Sequence, residues 1–220
     1  MPNIGSEKVA RLVPNHLITT NGDRGRKTLY LTFDDGPCPG ISEHVAAMLE
    51  QLEVPASFFC IGTKIRAHPQ IARELADRGH GLHNHSDTHR NFRRLSPAEQ
   101  QHDMEACQDA IAGLIRNPSR IFRAPRGQLG LRSLLRFKWA GWRVVHWSYD
   151  SLDYQKPTVE GLLERLRAAP PQGGDILLFH DDNELCLHAL KMLIPEWKAQ
   201  GYSFSRVDAL LAQNPGAAHS

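Results

Sequence analysis

Two adjacent carboxylates, Asp34-Asp35, run directly into Gly36-Pro37, and further along a pair of histidines stands four positions apart in His85-Ser86-Asp87-Thr88-His89. Each signal is weak alone, because Asp-Gly-Pro is ordinary turn chemistry and His-x-x-x-His recurs without any metal. Histidines at this spacing can nonetheless face one centre from a helical turn or a tight loop. Asp35, His85 and His89 together offer three nitrogen and oxygen donors with a fourth position open, the donor count of a catalytic rather than a structural zinc site. Further polar candidates follow apolar runs: Arg123, then Asp150 and Asp153, then His180 directly after Asp175–Phe179 (DILLF). By contrast, His146, Trp142, Trp147 and Phe179 are flanked by apolar residues and read as core.

The elements that must position these groups form a β/α rhythm from residue 28 onward. Short apolar runs predict strands at Thr28–Asp34, Ala56–Ile61, His80–Asn84, Arg120–Arg123, Trp142–Trp147, Asp175–Phe179 and Tyr202–Val207. Amphipathic spacing predicts helices at Ser42–Glu53, Pro69–Asp77, Pro97–Ile115 with Ser96 as N-cap, Leu131–Ala140, Val159–Ala168 and Glu184–Ala199. Gly79, Gly141 and Gly201 each close a helical stretch ahead of a strand. Repeated strand–helix units imply a parallel sheet with right-handed crossovers, either open or closed into a barrel. In both architectures the active site lies at the carboxyl ends of the strands, where every candidate above falls.

The 220 residues are 41% hydrophobic and 23% charged, which suits one globular domain and excludes disordered and fibrous classes. We expect an N-terminal extension over 1–26, the domain over 27–212 and a short tail over 213–220. A formal charge of +2 is too small to draw the chain onto nucleic acid or anionic lipid. The cationic run His89-Arg90-Asn91-Phe92-Arg93-Arg94 accordingly reads as a solvated loop. No apolar stretch suggests a transmembrane segment, and the N-terminus carries no signal-peptide core, so the chain as written reads as cytoplasmic, or secreted or periplasmic if an export signal precedes it. Cys38, Cys60, Cys107 and Cys186 are widely spaced and read as reduced, mostly buried thiols, with Cys38 a passive neighbour of Asp35. Five of the 12 histidines, His80, His83, His85, His89 and His102, crowd one region, and only their spacing can select ligands among them.

On five ordered motifs spanning about Lys27 to Val207, the chain resembles the NodB-homology polysaccharide deacetylases, carbohydrate esterase family 4. Thr32-Phe33-Asp34-Asp35-Gly36-Pro37 is similar to the first motif, which implies Asp34 as general base and Asp35 as metal ligand. His85 through His89 resembles the second, with both histidines as ligands, and Arg123-Ala124-Pro125-Arg126-Gly127 the third, whose Arg123 orients the base. Asp150-Ser151-Leu152-Asp153-Tyr154 resembles the fourth, with Asp153 supporting the acid, and Leu178-Phe179-His180 the fifth, with His180 as that acid. The resemblance implies a distorted (β/α) barrel of about seven parallel strands, with Arg126, Tyr154 and Leu178 along the substrate groove. It also implies one divalent ion, zinc first and cobalt or nickel as alternatives.

Three positions depart from the family pattern: Ala124, Arg126 and Tyr154 stand where Pro, Tyr and Trp are usual. The residue at position 126 donates its backbone N–H to the oxyanion in the family, a role indifferent to side chain. The guanidinium instead alters the groove wall toward an anionic or phosphate-linked glycan. The implied activity is metal-dependent hydrolysis of N-acetyl groups on an N-acetylglucosamine-type polysaccharide, oligosaccharide or glycolipid, releasing acetate. Alternatives are a related metal amidase or deformylase on a lipid-linked or non-carbohydrate amide, and a catalytically silent glycan-binding module. The presence of both Asp34 and His180 counts against the silent module, since binding needs neither.

Overall fold

A computed structural model describes residues 17–155 and 158–213; residues 1–16 of the expected extension and 214–220 of the expected tail lie outside the described residues. The elements are β1 (Thr28–Asp34), α1 (Ser42–Gln51), β2 (Ser57–Cys60), α2 (Gly62–Ala67), α3 (Pro69–Asp77), β3 (Gly81–Asn84), α4 (Pro97–Ala112), β4 (Ile121–Phe122) and α5 (Leu131–Trp139). There follow β5 (Arg143–Val144), β6 (Tyr149–Asp150), α6 (Val159–Ala168), β7 (Ile176–His180), α7 (Glu184–Ala199), β8 (Ser203–Phe204) and α8 (Val207–Gln213). Seven strands lie in the order β5-β4-β3-β2-β1-β7-β6, all paired in parallel, and the short β8 pairs with the start of β1. The result is the expected distorted (β/α) barrel, and among the described residues no ladder joins β5 to β6.

Local chemistry explains where some of the helices start and stop. Ser96 caps α4 through a full capping box, its hydroxyl accepting from the Glu99 N–H while the Glu99 carboxylate accepts from the Ser96 N–H. The α3 helix begins with Pro69 at its first position and is followed by Gly79 at φ 84°, a conformation open to glycine at little cost. Val45 and Leu49 of α1 are buried against the sheet, as the spacing requires.

The expected strand Trp142–Trp147 is broken. Arg143 and Val144 pair with β4, Val145 bridges to Thr19, and the chain rejoins a ladder only at Tyr149, against β7. The break is made by the segment before β1: Thr19 donates to the Val144 carbonyl and accepts from the His146 N–H, while Asn21 bridges to Asp175. An apolar run records burial but not a change of neighbour. The expected strand Tyr202–Val207 shortens to β8, because Val207 opens α8, and the short α2 was too brief to show a period.

Alternation along β1 sorts its side chains into two layers. Leu29, Leu31 and Phe33 face the helices in the main core, whereas Tyr30 packs inside with Phe59, Ile176 and Leu178. Thr32 and Asp34 share the inner face with Tyr30, so a buried carboxylate is delivered to the carboxyl end of a central strand. The four cysteines are free, three of them buried and Cys38 half-buried. No helix among the described residues is long and apolar enough to cross a membrane.

Phe33 stacks on Phe58 with ring centroids 4.9 Å apart and touches Phe179 at 6.2 Å, all three fully buried. Phe33→Ala is expected to destabilise the fold by about 3–5 kcal/mol, the usual cost of emptying a buried aromatic site. Equilibrium denaturation measures this, and a change below about 1 kcal/mol would show that Phe33 is not at the centre of the core.

Candidate active site

The carboxyl ends of β1, β3, β4 and β7 open onto a cleft of about 320 Å³ lined by Asp34, Asp35, His85, His89, Arg126, Trp147, Asp150, Tyr154, Leu178, His180 and Asp182. Arg123 and Asp153 stand behind its wall, fully or almost fully buried. Every residue singled out as a site candidate is therefore gathered around one cavity. Sequence reasoning missed two of the lining groups. Trp147, expected as core, is buried yet also borders the cleft, and Asp182 sits two residues past the end of the DILLF–His180 run, where an exposed acid gives no periodic signal.

Asp35, His85 and His89 each present a donor atom within 4.8 Å of the other two. The Asp35 carboxylate lies 3.4 Å from His85 Nε2 and 3.1 Å from His89 Nε2. Arg123 fixes the tautomer of His85: its carbonyl oxygen, which can only accept, is 2.9 Å from Nδ1, so the proton resides on Nδ1 and Nε2 keeps its lone pair. Asp35 Oδ1 is buried and without a hydrogen-bond partner. Electron-rich donors crowded around a buried, unpartnered oxygen are the arrangement a cation relieves, so these residues fit a divalent metal ion. The Asp35 carboxyl titrates below the ordinary carboxylate range: burial opposes its charge, but the neighbouring imidazoles of His85, His89 and His180 outweigh burial. His89 is pulled down from the ordinary imidazole value by burial, with His85 and Arg126 adding to the effect and Asp35 resisting it.

The two histidines reach this point from a tight loop, not a helical turn. Ser86 and His89 adopt left-handed backbone with φ 70° and 54°, held by side-chain bonds within and behind the loop. The Ser86 N–H donates to Asn84 Oδ1, the His89 N–H to Ser86 Oγ, and Asp103 on α4 accepts from the Asp87 N–H and the Thr88 hydroxyl. Asn84 and Asp103 act on the site only through this loop, and nothing local in the sequence marks them. The remaining crowded histidines are elsewhere: His80 and His83 are buried away from the cleft, and His102 is exposed on α4.

On one side of the ligand cluster, Arg123 donates through Nη1 to Asp34 Oδ1 at 2.6 Å and to the Thr32 hydroxyl at 2.8 Å. The other Asp34 oxygen lies 3.7 Å from His85 Nε2. At the end of the neighbouring strand β7, Asp153 accepts from His180 Nδ1 at 2.8 Å and from the His180 N–H at 2.7 Å. Burial opposes charge on His180, but the Asp153 hydrogen bond, with the charges of Asp153, Asp34 and Asp35, pushes its pKa up to about 9. Tyr154 stands edge-on to His180 at 5.3 Å and donates its hydroxyl to Asp150. The Arg126 N–H donates to no group among the described residues.

The loop after Asp35 is fastened from below. Ser42 accepts from the Cys38 N–H at 2.7 Å and donates to Asp181, which is fully buried, while Lys64 donates to the Asp35 carbonyl at 2.6 Å. Burial pushes the Asp181 carboxyl up to about 7, against the Ser42 bond and the Lys64 charge. His146 is buried behind Trp147 with ring centroids 3.9 Å apart, and burial together with the Arg123 charge pulls its pKa down to about 3, which keeps it neutral and structural.

The family model for polysaccharide deacetylases matches residues 21–145. A peptidoglycan-N-acetylglucosamine deacetylase of Bacillus cereus is 30% identical over 205 residues, covering 91% of this chain and 95% of its own length. A chitooligosaccharide deacetylase of Bradyrhizobium is 33% identical over 193 residues, covering 81% of this chain and 88% of its own. Bacillus subtilis PdaA, a family 4 carbohydrate esterase of solved structure, shares the fold with a TM-score of 0.85 at 24% identity, covering 94% of this chain and 90% of that one.

A Cβ on Gly36 would lie 2.2 Å from an Asp181 oxygen. Gly36→Ala is therefore expected to displace the loop that carries Asp35, destabilising the protein by about 1–3 kcal/mol, as overpacking does, and weakening metal uptake. Thermal denaturation and metal titration measure both, and wild-type values would show that the loop has room to give.

Proposed function

From the premise that the chain belongs to the polysaccharide deacetylase family, we propose that it is a metal-dependent hydrolase removing N-acetyl groups from an N-acetylglucosamine-type glycan. Its main support is a pair of oppositely equipped groups around one donor cluster. Asp34 is bonded to Arg123 at 2.6 Å and His180 to Asp153 at 2.8 Å, both bordering the cleft that holds Asp35, His85 and His89. A silent binding module has no use for either pair.

An acetamide resists hydrolysis because its carbonyl is a poor electrophile and its nitrogen a poor leaving group. Asp35, His85 and His89 would hold one divalent ion, zinc by the two-imidazole, one-carboxylate donor set, which supplies Lewis acidity toward the carbonyl and toward water. Asp34 accepts the proton of the attacking water, and Arg123 keeps its carboxylate aimed at the cleft. The oxygen of the acetyl carbonyl gains negative charge as water adds to the carbon, and the Arg126 N–H is free to receive it. His180, held through Nδ1 by Asp153, gives a proton to the departing nitrogen as the carbon–nitrogen bond breaks. The products are acetate and an amino sugar. Arg126, Tyr154 and Leu178 line the groove in which the sugar rings lie.

Asp34→Asn is expected to bind metal as the wild type does while losing kcat by about a hundredfold or more, the usual effect of removing a general base. Acetate release from N-acetyl chitooligosaccharides and metal content measure the two effects, and loss of metal instead would reverse the roles of Asp34 and Asp35.

The acid form of His180 persists up to a pKa of about 9, so activity should fall as pH rises through that value. Without the Asp153 carboxylate, burial is opposed only by the charges of Asp34 and Asp35, so Asp153→Asn should move the alkaline limb of the kcat profile down from about 9 toward the ordinary imidazole value of 6.5. An unmoved limb would mean that His180 is not the acid.

A further inference from the structure

The proposed reaction uses only the backbone of Arg126 and leaves its side chain without a role. The guanidinium is exposed on the cleft wall and has no hydrogen bond or ion pair among the described residues. It lines the same cleft as Asp35, His85 and His89. A free cation beside a site built for a dication is electrostatically unfavourable, and no ion pair among the described residues compensates it. Its backbone is also left-handed, with φ 57° and ψ 18°, where glycine would give the same N–H at less cost. A backbone donor alone accounts for neither the charge nor the strain.

Further cations lie in a neighbouring turn outside the cleft lining. Asn91 donates to Gln128 at 2.9 Å, tying the Arg126 loop to the turn Phe92–Arg94. Arg93 and Arg94 on that turn are exposed, and their side chains have no partner among the described residues, whereas Arg90 is drawn to Glu99 and Asp103. The same lining carries Asp150 and Asp182. The cleft therefore carries an unpaired cation beside its carboxylates, in a chain of formal charge only +2.

We propose that the Arg126 side chain is a specificity determinant that docks an oxyanion, carboxylate or phosphate, carried by the acetamido sugar or its immediate neighbour, so that the preferred glycan is anionic. The planar fork of a guanidinium pairs with either group through two parallel hydrogen bonds. Because Arg126 lines the same cleft of about 320 Å³ as His89, the anion is confined to the reacting sugar or the one next to it. Docking there would also select which acetamido sugar lies over the ligands. This deepens the deacetylase reading and rests on it.

The test compares N-acetyl oligosaccharides of equal length: a neutral chitooligosaccharide, one with a lactyl ether carboxylate on alternate sugars, the methyl ester of that acid, and one with a sugar phosphate. Calorimetry on zinc-loaded Asp34→Asn protein measures binding, and acetate release by the zinc-loaded wild type measures turnover. The carboxylate or the phosphate glycan is expected to exceed its uncharged counterpart by about ten- to hundredfold, the range for hydrogen bonds to charged groups, and the stronger of the two identifies the anion. Arg126→Gln should abolish most of that ratio, and Arg126→Lys should retain part of it. Equal affinity for charged and uncharged glycans, including none for either, or a ratio that survives Arg126→Gln, would overturn the proposal. Equal acetate release from acid and ester would leave the deacetylase reading intact while removing this one. Anion-selective binding with no acetate release from any glycan would do the reverse.

Discussion

Arg123 is a cation with no access to water at the inner end of β4, and the site is arranged around satisfying it. A guanidinium in that position is tolerable only if paired and hydrogen-bonded. Its partners come from distant parts of the chain: the Thr32 hydroxyl and Asp34 carboxylate on β1, the His146 carbonyl, and the face of Phe59 at 4.0 Å. Its own carbonyl takes the His85 Nδ1 proton. One residue thus holds Asp34 in place, orients a ligand and joins β1, β3 and β4 beneath the cleft. Removing it would leave a buried carboxylate without its counter-charge, so structure and chemistry would fail together.

The strands deliver backbones to the rim, but the loops must turn side chains back over it, and that requires unusual conformations. Seven described residues other than glycine have positive φ, and five of them, Asp35, Ser86, His89, Arg126 and Leu152, lie in the loops that form the site. Such strain persists where surrounding bonds over-determine it. Lys64 on the Asp35 carbonyl, Asn84 and Asp103 behind the histidine loop, and Asp150 accepting from the Leu152 N–H are those bonds. Each lies outside the groups that would touch substrate, yet each fixes where those groups point.

Charge in the cleft is divided rather than neutralised. Asp153 raises the proton affinity of His180 against the effect of burial, while burial and Arg126 hold His89 toward the neutral form that a metal ligand needs. The same residue type serves opposite ends of a reaction because at His180 a bonded carboxylate outweighs burial, whereas at His89 burial outweighs the carboxylate of Asp35.

Much of this was legible from short windows of sequence. Apolar runs and amphipathic spacing located β1, α3, α6 and α7 to the residue, and Ser96 with Glu99 marked the start of α4, because hydrogen bonds and burial within a helix or strand are local and periodic. Ligand types and strand-end positions selected Asp35, His85 and His89 from a crowd of histidines and carboxylates. What the tertiary structure alone decided is non-local. Thr19 interrupts the run Trp142–Trp147 by pairing with it from far upstream; Arg123 meets Asp34 across 89 positions of chain; and Trp147 turns from apparent core into cleft wall. Whether the Arg126 side chain was paired or free was likewise not written near it, since a partner could have come from any segment that packs against its loop. Periodicity specifies which face of an element is buried, and only the packed fold specifies what that face, or an exposed charge, meets.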